Sequence, residues 1–439
     1  MYKISRNMCR RIIFSSVIMV LLLLLVSNFL FSQRKIEIDF SKKASNIKSV
    51  VGFLHFNDLK PLENDIVQLK PRYWRIGSSM ADKTKRIEQL KILKQYNITP
   101  ILVVTDFFFH RSSMWKKPYS DKQNLLNLVE ELYKENGNNV VYDLWNEPDL
   151  TVFFEGSQQN FFETFKLMHD KIRSLPGGKK ATIMGPSISW FTDEYFKKFL
   201  DFCSANNITL DLLDWHQNYN IDDALNMKKN IYHAREYYIK KYPNLKIKDI
   251  IIPEFVGPED YFKPLTSLAY INILDKEKVV GCKTCGDAPQ GQQTENTCWN
   301  NSIDGLLTPQ GKPRSVWWVY KYYAESLNTR FNTNVDSERT VAIAYYSQPN
   351  KSVNLLLGNL SSSTNTFTID LKSFQDSSFF SKAKKINYSL YKIPNTEQKE
   401  LLNPILIKNK TISLSTAKNL LFQVEDIDNE SVYLLKMTN

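Results

Sequence analysis

The sequence predicts an α/β chain built as a (β/α)₈ TIM barrel with a C-terminal β-sandwich domain. Apolar strand-like runs alternate with helical segments from Val51 to Leu327, a pattern typical of parallel strands joined by helices. Beyond Asn328 the pattern changes to short alternating runs such as VAIAYYS and KINYSLYKI, separated by Ser, Thr and Asn. Such runs predict antiparallel strands. We therefore expect the barrel over residues 49–327 and the sandwich over residues 328–439.

Residues 1–32 are predicted to be a secretory signal peptide. Arg10 and Arg11 precede an almost uninterrupted apolar run over residues 12–31, and Ser32 offers a small residue for cleavage. The run is also long enough to span a bilayer uncleaved, as an anchor. Both alternatives predict export to the outside, the periplasm or the cell surface, with membrane contact only through this segment. Residues 33–48 follow; their alternating KIEIDF predicts a strand that joins the sandwich.

The composition excludes several functional classes. Hydrophobic residues make up 43% of the chain and charged residues 23%, which is typical of a globular protein and not of a disordered one. The net charge is +11, but the sequence has no stripe rich in Arg and Lys, so nucleic acid is not an expected partner. The five histidines are scattered without paired ligand spacing, so neither a metal nor another cofactor is expected.

Three cysteines lie close together near the end of the barrel region: Cys282, Cys285 and Cys298. Cys282 and Cys285 form a C-x-x-C pair, but no second pair with zinc spacing follows. An exported chain can form a disulfide. We expect two of the three cysteines to be bridged, with the pairing left open.

Two glutamates stand at the ends of predicted barrel strands. Glu147 follows the apolar run VVYDLW and precedes Pro148, and Glu254 ends the run KDIIIPE. Asn-Glu-Pro could be only a strand exit and a helix cap. However, a carboxylate at the end of a buried strand is costly unless it is paired or functional, and barrel active sites lie at this end of the strands. Two carboxyl groups across one bond are what glycoside hydrolysis requires.

Other polar residues near strand ends are candidates for substrate binding. Asn146 can hydrogen-bond a sugar hydroxyl beside Glu147. His55 ends the first barrel strand and is either a core histidine or a substrate contact. Arg75 is a charge inside the strand-like run RYWRI, where a buried guanidinium needs a carboxylate partner, and Glu254 is the natural one. His216 and Tyr219 follow the strand that contains Leu212 and Leu213.

The chain resembles the clan A glycoside hydrolases, and within them family 39, which holds β-xylosidases and α-L-iduronidases. The resemblance covers Val51 to about Leu327 and rests on these stretches: GFLHF at Gly52, LKPRYWRIG at Leu69, YDLWNEPD at Tyr142, IIPEF at Ile251 and DGLLTPQGKPRSVWWVY at Asp304. It implies Glu147 as acid/base, Glu254 as nucleophile and retention of anomeric configuration. The family also builds its β-sandwich partly from the N-terminal segment.

The sequence departs from the family pattern at two strands. In WHQNY the aromatic residue after the histidine, Tyr219, comes one position late, and KVVGCKTCGDAPQG lacks the expected tryptophan, for which Trp299 is the candidate replacement. These departures affect the residues expected to contact the sugar, and so the identity of that sugar. They do not affect the two glutamates that the reaction requires.

The leading hypothesis is an exported retaining glycosidase, xylosidase-like, whose partner is an oligo- or polysaccharide of plant or host type. An iduronidase-like enzyme acting on uronate-containing glycans is the alternative; Arg75, Arg111 and Lys263 are the candidate cations for it. A different class is a catalytically silent glycan-binding barrel, against which the intact glutamate pair argues. A purely structural barrel has no positive signal in the sequence.

Overall fold

The computed structural model describes residues 33–54, 58–77, 82–285, 302–362, 365–374, 379–414 and 419–439. They divide into two compact units. The barrel unit comprises Ser45–Asn328 and Ile393–Ile405, and the sheet unit comprises the described residues up to Ala44, Thr329–Lys392 and Leu406–Asn439. The first strand, β1 (Gln33–Ser45), therefore contributes nearly all of its length to the sheet unit.

Eight parallel strands close the barrel, and each pairs with the next along the chain. They are β2 (Val51–Leu54), β3 (Tyr73–Ile76), β4 (Thr99–Val103), β5 (Val141–Asp143), β6 (Thr182–Ile188), β7 (Leu212–Trp215), β8 (Asp249–Phe255) and β9 (Val280–Lys283). The first and last strands complete the ring, with Val51 opposite Gly281. Gly52 permits this closure, because a Cβ there would lie 2.7 Å from the sulfur of Cys282 and 2.7 Å from the carbonyl oxygen of Tyr73.

Helices follow the strands, as the alternating pattern predicts. The α-helices are α1 (Glu63–Leu69), α2 (Lys83–Gln95), α3 (Val104–Phe109), α4 (Lys122–Asn136), α5 (Gln158–Ser174), α6 (Asp193–Ala205), α7 (Ile221–His233), α8 (Pro264–Glu277) and α9 (Ser315–Ser326). Short 3₁₀ helices cover Lys60–Leu62, Pro118–Ser120, Gly178–Lys180, Pro243–Leu245 and Pro258–Asp260. Polar side chains cap several N-termini: Ser157 and Asn160 form a capping box on α5, and Asn220 accepts a hydrogen bond from the N–H of Asp222 on α7.

Two elements differ from the sequence patterns. The apolar pattern after β7 is typical of one long α-helix, but α7 begins at Ile221 and changes to a π-helix over Ala234–Ile239. The segment Ile393–Ile405, sequentially inside the region of sandwich-like runs, lies in the barrel unit. It is bound there by backbone carbonyls: Arg314 Nε donates to Gln398 at 2.8 Å, and Trp318 Nε1 donates to Leu401 at 2.7 Å.

Apolar side chains from six barrel strands pack into one buried cluster. Its members are Leu54, Ile101, Val141, Met184, Ile251, Val280 and Cys282. Strands of a closed parallel barrel are covered on both faces, which explains their nearly continuous apolar sequences. Polar side chains are tolerated at the carboxyl ends of the strands, beyond this cluster.

The sheet unit is one mixed sheet of nine strands in the order β15-β14-β17-β12-β11-β10-β1-β13-β16. The strands not yet introduced are β10 (Thr329–Val335), β11 (Thr340–Ser347), β12 (Ser352–Asn359), β13 (Thr366–Lys372), β14 (Lys385–Ile393), β15 (Ile405–Ser413), β16 (Leu420–Val424) and β17 (Val432–Thr438). Strand β1 runs parallel to β13, with Ile36 opposite Ile369. Tyr388 of β14 stacks on Phe422 of β16 at 5.3 Å between ring centroids, so strands near opposite ends of the sheet approach each other.

This curvature encloses one apolar core inside the sheet unit, to which β1 contributes Ile36, Ile38 and Phe40. The unit is thus sandwich-like, although a single curled sheet supplies both layers. The predicted fold class, a TIM barrel with a C-terminal sandwich-like domain, is confirmed.

The structure reduces the number of possible disulfide pairings among the three clustered cysteines. Cys285 is disulfide-bonded, whereas Cys203 and Cys282 are free and buried. Cys282 is therefore not part of the bridge, and Cys298 lies outside the described residues. Within the described part of the chain, no helix combines the length and the apolar character that crossing a membrane requires.

Candidate active site

The two predicted glutamates meet at the carboxyl end of the barrel. Glu147 lies four residues beyond the end of β5, and Glu254 is the penultimate residue of β8. His216 directly follows β7 and lies between them. Its Nδ1 atom is 2.8 Å from Oε1 of Glu147 and 3.7 Å from Oε2 of Glu254. The carboxyl ends of parallel barrel strands converge, which is why residues distant in sequence form one cluster.

The spacing of the two carboxylates is short. One oxygen from each glutamate and one ring nitrogen of His216 all lie within 4.8 Å of one another. Retaining glycosidases hold their carboxyl groups ~5–5.5 Å apart, and inverting ones ~6.5–9.5 Å apart, to admit a water molecule. Each glutamate side chain is 15% exposed, so both are largely desolvated and still reachable. The spacing agrees with the shorter range, that of retaining enzymes.

Arg75, on β3, connects the cluster to the barrel interior. Its Nη1 atom donates to Glu254 Oε1 at 2.5 Å, and its Nη2 atom donates to Asp143 at 2.7 Å and to the Asn146 side-chain oxygen at 2.8 Å. The side chain is only 5% exposed. Burial alone lowers the pKa of the guanidinium, but the charges of Asp143 and Glu254 outweigh burial, so its pKa is raised and Arg75 stays charged.

Glu254 is held by donors on both carboxylate oxygens. Arg75 donates to Oε1, and Asn218 Nδ2 donates to Oε2 at 3.1 Å. Donors to a carboxylate favour its ionised form and fix its orientation. Glu254 is therefore arranged as an anion aimed into the cluster.

A buried hydrogen-bond network of two carboxyl groups and one hydroxyl holds the Asp143 side chain that binds Arg75. The Ser187 hydroxyl lies 2.6 Å from Asp143 Oδ1 and is also hydrogen-bonded to Asp214 Oδ2. One hydroxyl proton can serve only one of the two carboxylates, so the other contact needs a proton from Asp214. Burial, with the charge of Asp143 added, raises the pKa of Asp214 to about 8. Protonated Asp214 thus donates to Ser187, Ser187 donates to Asp143, and Asp143 also accepts hydrogen bonds from Arg75.

Replacing Asp214 by asparagine is expected to flatten the dependence of stability on pH. The folded protein keeps the Asp214 proton up to a pH of about 8, whereas the unfolded chain loses it near its ordinary pKa of 3.8. Stability of the natural protein is therefore lost as the pH rises through this window, by on the order of a few kcal/mol. The asparagine side chain needs no proton, since its amide can donate to the Ser187 hydroxyl and its oxygen can accept from the Ser187 N–H.

Urea unfolding at pH 5 and pH 8 measures this effect. The free energy of unfolding should fall more between these pH values in the natural protein than in Asp214→Asn. Asp222→Asn, an exposed change at the start of α7, should behave as the natural protein does. Equal slopes in all three proteins would refute the proton assignment.

The backbone is strained beside both glutamates. Glu147 has φ 44° and Val256, two residues after Glu254, has φ 76°. A left-handed β-branched residue is unusual, and each such residue costs about 1–3 kcal/mol. The Glu147 N–H donates to the carbonyl of Ser187 at 2.9 Å, which fixes the turn that carries the carboxylate. Strain of this kind persists where the surroundings enforce a functional geometry.

The predicted site residues divide into three groups. Asn146, Arg75 and His216 lie in the cluster with the two glutamates, and Tyr219 lies at its rim, 44% exposed. His55 and Trp299 lie outside the described residues. The other candidate cations have carboxylate partners of their own: Arg111 pairs with Glu131 at 2.7 Å, and Lys263 pairs with Asp260.

Sequence reasoning missed four polar residues of the site: Asp143, Ser187, Asp214 and Asn218. Asp143 and Asp214 did carry a signal, because each is a lone acid inside an apolar strand, in VVYDLW and DLLDW. Buried acids of this kind need partners. Ser187 and Asn218 carried none, since serine and asparagine are common at strand exits.

Glu147, His216 and Glu254 also have a spacing that metal ligands adopt. Their atoms are already engaged with protein groups, however: Nδ1 of His216 with Glu147, and Glu254 with Arg75 and Asn218. Arg75 supplies the positive charge that an ion would bring. The donor set therefore fits proton transfer better than metal binding.

Comparisons with known proteins agree with this geometry. Residues 102–256, which include both glutamates, match the model of "Glycosyl hydrolases family 39". A hyaluronoglucuronidase of Hirudo nipponia is 26% identical over 117 residues, which is 26% of this chain and 23% of that protein. The match thus spans about a quarter of the relative's length.

Several solved structures share the fold. N2152 from Neocallimastix frontalis superimposes with a TM-score of 0.70 at 19% identity, covering 93% of this chain and 100% of that one. The GH39 enzyme from Xanthomonas axonopodis pv. citri gives 0.63 at 14% identity, covering 93% and 97%. A monomeric β-xylosidase from Caulobacter crescentus gives 0.62 at 14% identity, covering 92% and 99%.

A parallel barrel with two facing glutamates on its fourth and seventh strands defines a class of protein, the clan A glycoside hydrolases. The chain has this arrangement, and its residues 102–256 are similar to family 39, as the sequence motifs predicted and the matched segment confirms.

Proposed function

We propose that this protein is an exported retaining glycosidase that cleaves xylosidic bonds of an oligo- or polysaccharide. One observation carries the reaction: Glu147 and Glu254 hold carboxylate oxygens within 4.8 Å of each other at the mouth of the barrel. In a double displacement the nucleophile and then the water attack opposite faces of the same anomeric carbon, and this short separation lets both carboxyl groups reach it. The disulfide at Cys285 supports the export that residues 1–32 predict, since disulfides persist in oxidising compartments.

Glu254 is the nucleophile in the first displacement. Its carboxylate attacks the anomeric carbon, the bond to the leaving oxygen breaks, and a glycosyl ester of Glu254 forms. Arg75 and Asn218 hold the attacking group so that its oxygens keep their orientation. Glu147 gives its proton to the leaving oxygen in the same step, because an alkoxide is a poor leaving group.

Glu147 then acts as a base in the second displacement. It takes a proton from water, the water oxygen attacks the anomeric carbon, and the ester bond to Glu254 breaks. Each displacement inverts the anomeric carbon, so the two together retain its configuration.

His216 shares a proton with Glu147 and so helps to keep the acid protonated between reaction cycles. Burial lowers the pKa of its imidazole, but the charge of Glu254 and the hydrogen bond to Glu147 outweigh burial, so its pKa is raised. A proton therefore lies in the hydrogen bond between Nδ1 of His216 and Oε1 of Glu147, which are 2.8 Å apart. Either atom can carry it, and the pair delivers it to the leaving group from the Glu147 side.

The charge balance favours a neutral sugar. Among the described residues of the cluster, Arg75 is the permanently charged cation, and Asp143 and Glu254 already balance it at 2.7 Å and 2.5 Å. A uronate carboxylate would have to compete with these two anions. The fold neighbour that is a β-xylosidase supports the same choice of a neutral sugar. The uronate alternative is supported by the hyaluronoglucuronidase match and predicts a glucuronide or iduronide as the best substrate.

A panel of aryl glycosides tests the proposal, with β-xyloside, β-glucoside, β-glucuronide and α-L-iduronide given to protein lacking residues 1–32. We expect the β-xyloside to be hydrolysed fastest, with Glu254→Gln as the inactive comparison. If the glucuronide or the iduronide is hydrolysed faster than the β-xyloside, the substrate is a uronate-containing glycan and not a xyloside. Rates equal to those of Glu254→Gln for every glycoside would contradict the enzyme and favour a glycan-binding barrel.

A further inference from the structure

Two large aromatic side chains stand exposed at the end of the barrel that carries the two glutamates. Trp190 is 53% exposed and Tyr219 is 44% exposed. Their ring centroids are 6.4 Å apart and their planes differ by 33°, so the two rings form one nearly continuous surface. Trp190 follows β6 and Tyr219 follows β7, which are neighbouring strands of the barrel. Exposed apolar area at the mouth of a site usually serves binding.

The position of Trp190 is coupled to that of Glu147. Ser189, the residue before Trp190, donates to Asp149 through its N–H at 2.9 Å and through its hydroxyl at 2.5 Å. Asp149 lies two residues beyond Glu147 in the same strained turn. The loop that presents the tryptophan and the loop that presents the acid are therefore joined directly.

Tyr219 lies on the same side of the cluster. It comes three residues after His216, whose ring contacts Glu147 at 2.8 Å. Burial raises the pKa of its phenol, and the charges of Asp223, Asp149 and Glu147 add to that effect. The carboxylates of the Glu147 turn thus act electrostatically on the Tyr219 phenol. Both rings are therefore carried by loops that are linked to the Glu147 turn, one through the Ser189–Asp149 hydrogen bonds and the other through His216.

We propose that Trp190 and Tyr219 form a stacking platform for the sugar on the leaving-group side of the cleaved bond. The inference rests on the proposed function through the role of Glu147, since the group that this acid protonates is by definition the leaving group. A pyranose ring has apolar C–H faces that stack on aromatic rings while its hydroxyls stay hydrated, and indole and phenol side chains combine an apolar surface with a polar tip. The substrate class is then a glycan with at least one intact sugar beyond the cleaved bond.

Kinetics with two xylosyl donors test the platform. Xylobiose has a sugar leaving group, and β-xylosyl fluoride has a leaving group with no ring to stack. In Trp190→Ala and in Tyr219→Ala we expect kcat/KM for xylobiose to fall about tenfold more than kcat/KM for the fluoride, as loss of an aromatic contact implies. Tyr232→Ala removes a tyrosine that is 68% exposed on α7 and should change neither value. Equal losses with both donors would overturn the proposal.

Binding to an inactive variant tests the platform without turnover. Glu254→Gln is titrated calorimetrically with xylotriose, cellotriose and a hyaluronan tetrasaccharide, and Trp190→Ala in the same background should weaken the best of the three about tenfold. Unchanged affinity, or no binding of any of the three, would overturn the platform. If the natural protein hydrolyses no glycoside while Trp190→Ala still weakens binding, the proposed reaction is wrong and the platform stands.

Discussion

Replacing Glu254 by alanine is expected to lower turnover of every glycoside by on the order of 10⁵-fold, whatever its leaving group. Without this carboxylate no glycosyl ester can form, and the space left by the side chain does not supply a base for direct attack by water. The loss should appear in kcat and not only in KM, because the attacking group is needed in the transition state and contributes little to ground-state binding. Steady-state kinetics with an activated aryl xyloside measures it.

Glu259→Ala is the matched control for this variant. It removes the same side chain five residues away, from an exposed position in the 3₁₀ helix Pro258–Asp260, and should keep full activity. Arg75 retains Asp143 and Asn146 as partners in Glu254→Ala, so the barrel should stay folded, which circular dichroism verifies. Near-normal turnover by folded Glu254→Ala would show that another group is the nucleophile.

Replacing Glu147 by alanine is expected to have an effect that depends on the leaving group. A xyloside with an alkyl or sugar leaving group needs a proton and should lose about 10²–10⁴-fold in kcat/KM. A dinitrophenyl xyloside departs without protonation, so its first step should be nearly unaffected and the glycosyl ester should accumulate. The comparison of kcat/KM across aryl xylosides of graded leaving-group pKa measures this dependence.

Azide distinguishes an acid/base from a residue that only shapes the site. In Glu147→Ala a small anion can enter the space of the missing carboxylate and attack the glycosyl ester, which restores turnover and yields a glycosyl azide of retained configuration. Glu163→Ala, an exposed change on α5, should show neither the leaving-group dependence nor the rescue. A uniform loss across leaving groups, with no rescue, would contradict the acid/base assignment.

The pattern of apolar residues along the sequence was sufficient to predict the barrel, because each barrel strand is buried on both faces and is therefore apolar along its whole length. Runs such as ILVV at Ile101 and the helices between them are local signals, and the order of strands in a closed parallel barrel follows the chain. The curled sheet was harder to predict. Strand β1 pairs with β13, more than three hundred residues away. The alternating pattern and the family resemblance both indicated that it joins this sheet, but neither indicated its partner strand.

The glutamate pair could be predicted because both residues interrupt apolar strands at the same end. Arg75 was linked to Glu254 by the same reasoning, but its second carboxylate, Asp143, was not foreseen. The Ser187 hydroxyl between Asp143 and Asp214 depends on the register of three strands, which no local pattern encodes. The pairing of Trp190 with Tyr219 likewise depends on two loops meeting in space.

The anomeric configuration of the first product tests the central claim most directly. Proton NMR recorded during hydrolysis of an aryl β-xyloside resolves the α and β anomers before mutarotation mixes them. A double displacement through Glu254, with carboxylate oxygens within 4.8 Å, predicts that β-xylose forms first and α-xylose appears later. If α-xylose forms first, water attacks the sugar directly, and the assignment of Glu254 as a nucleophile is contradicted.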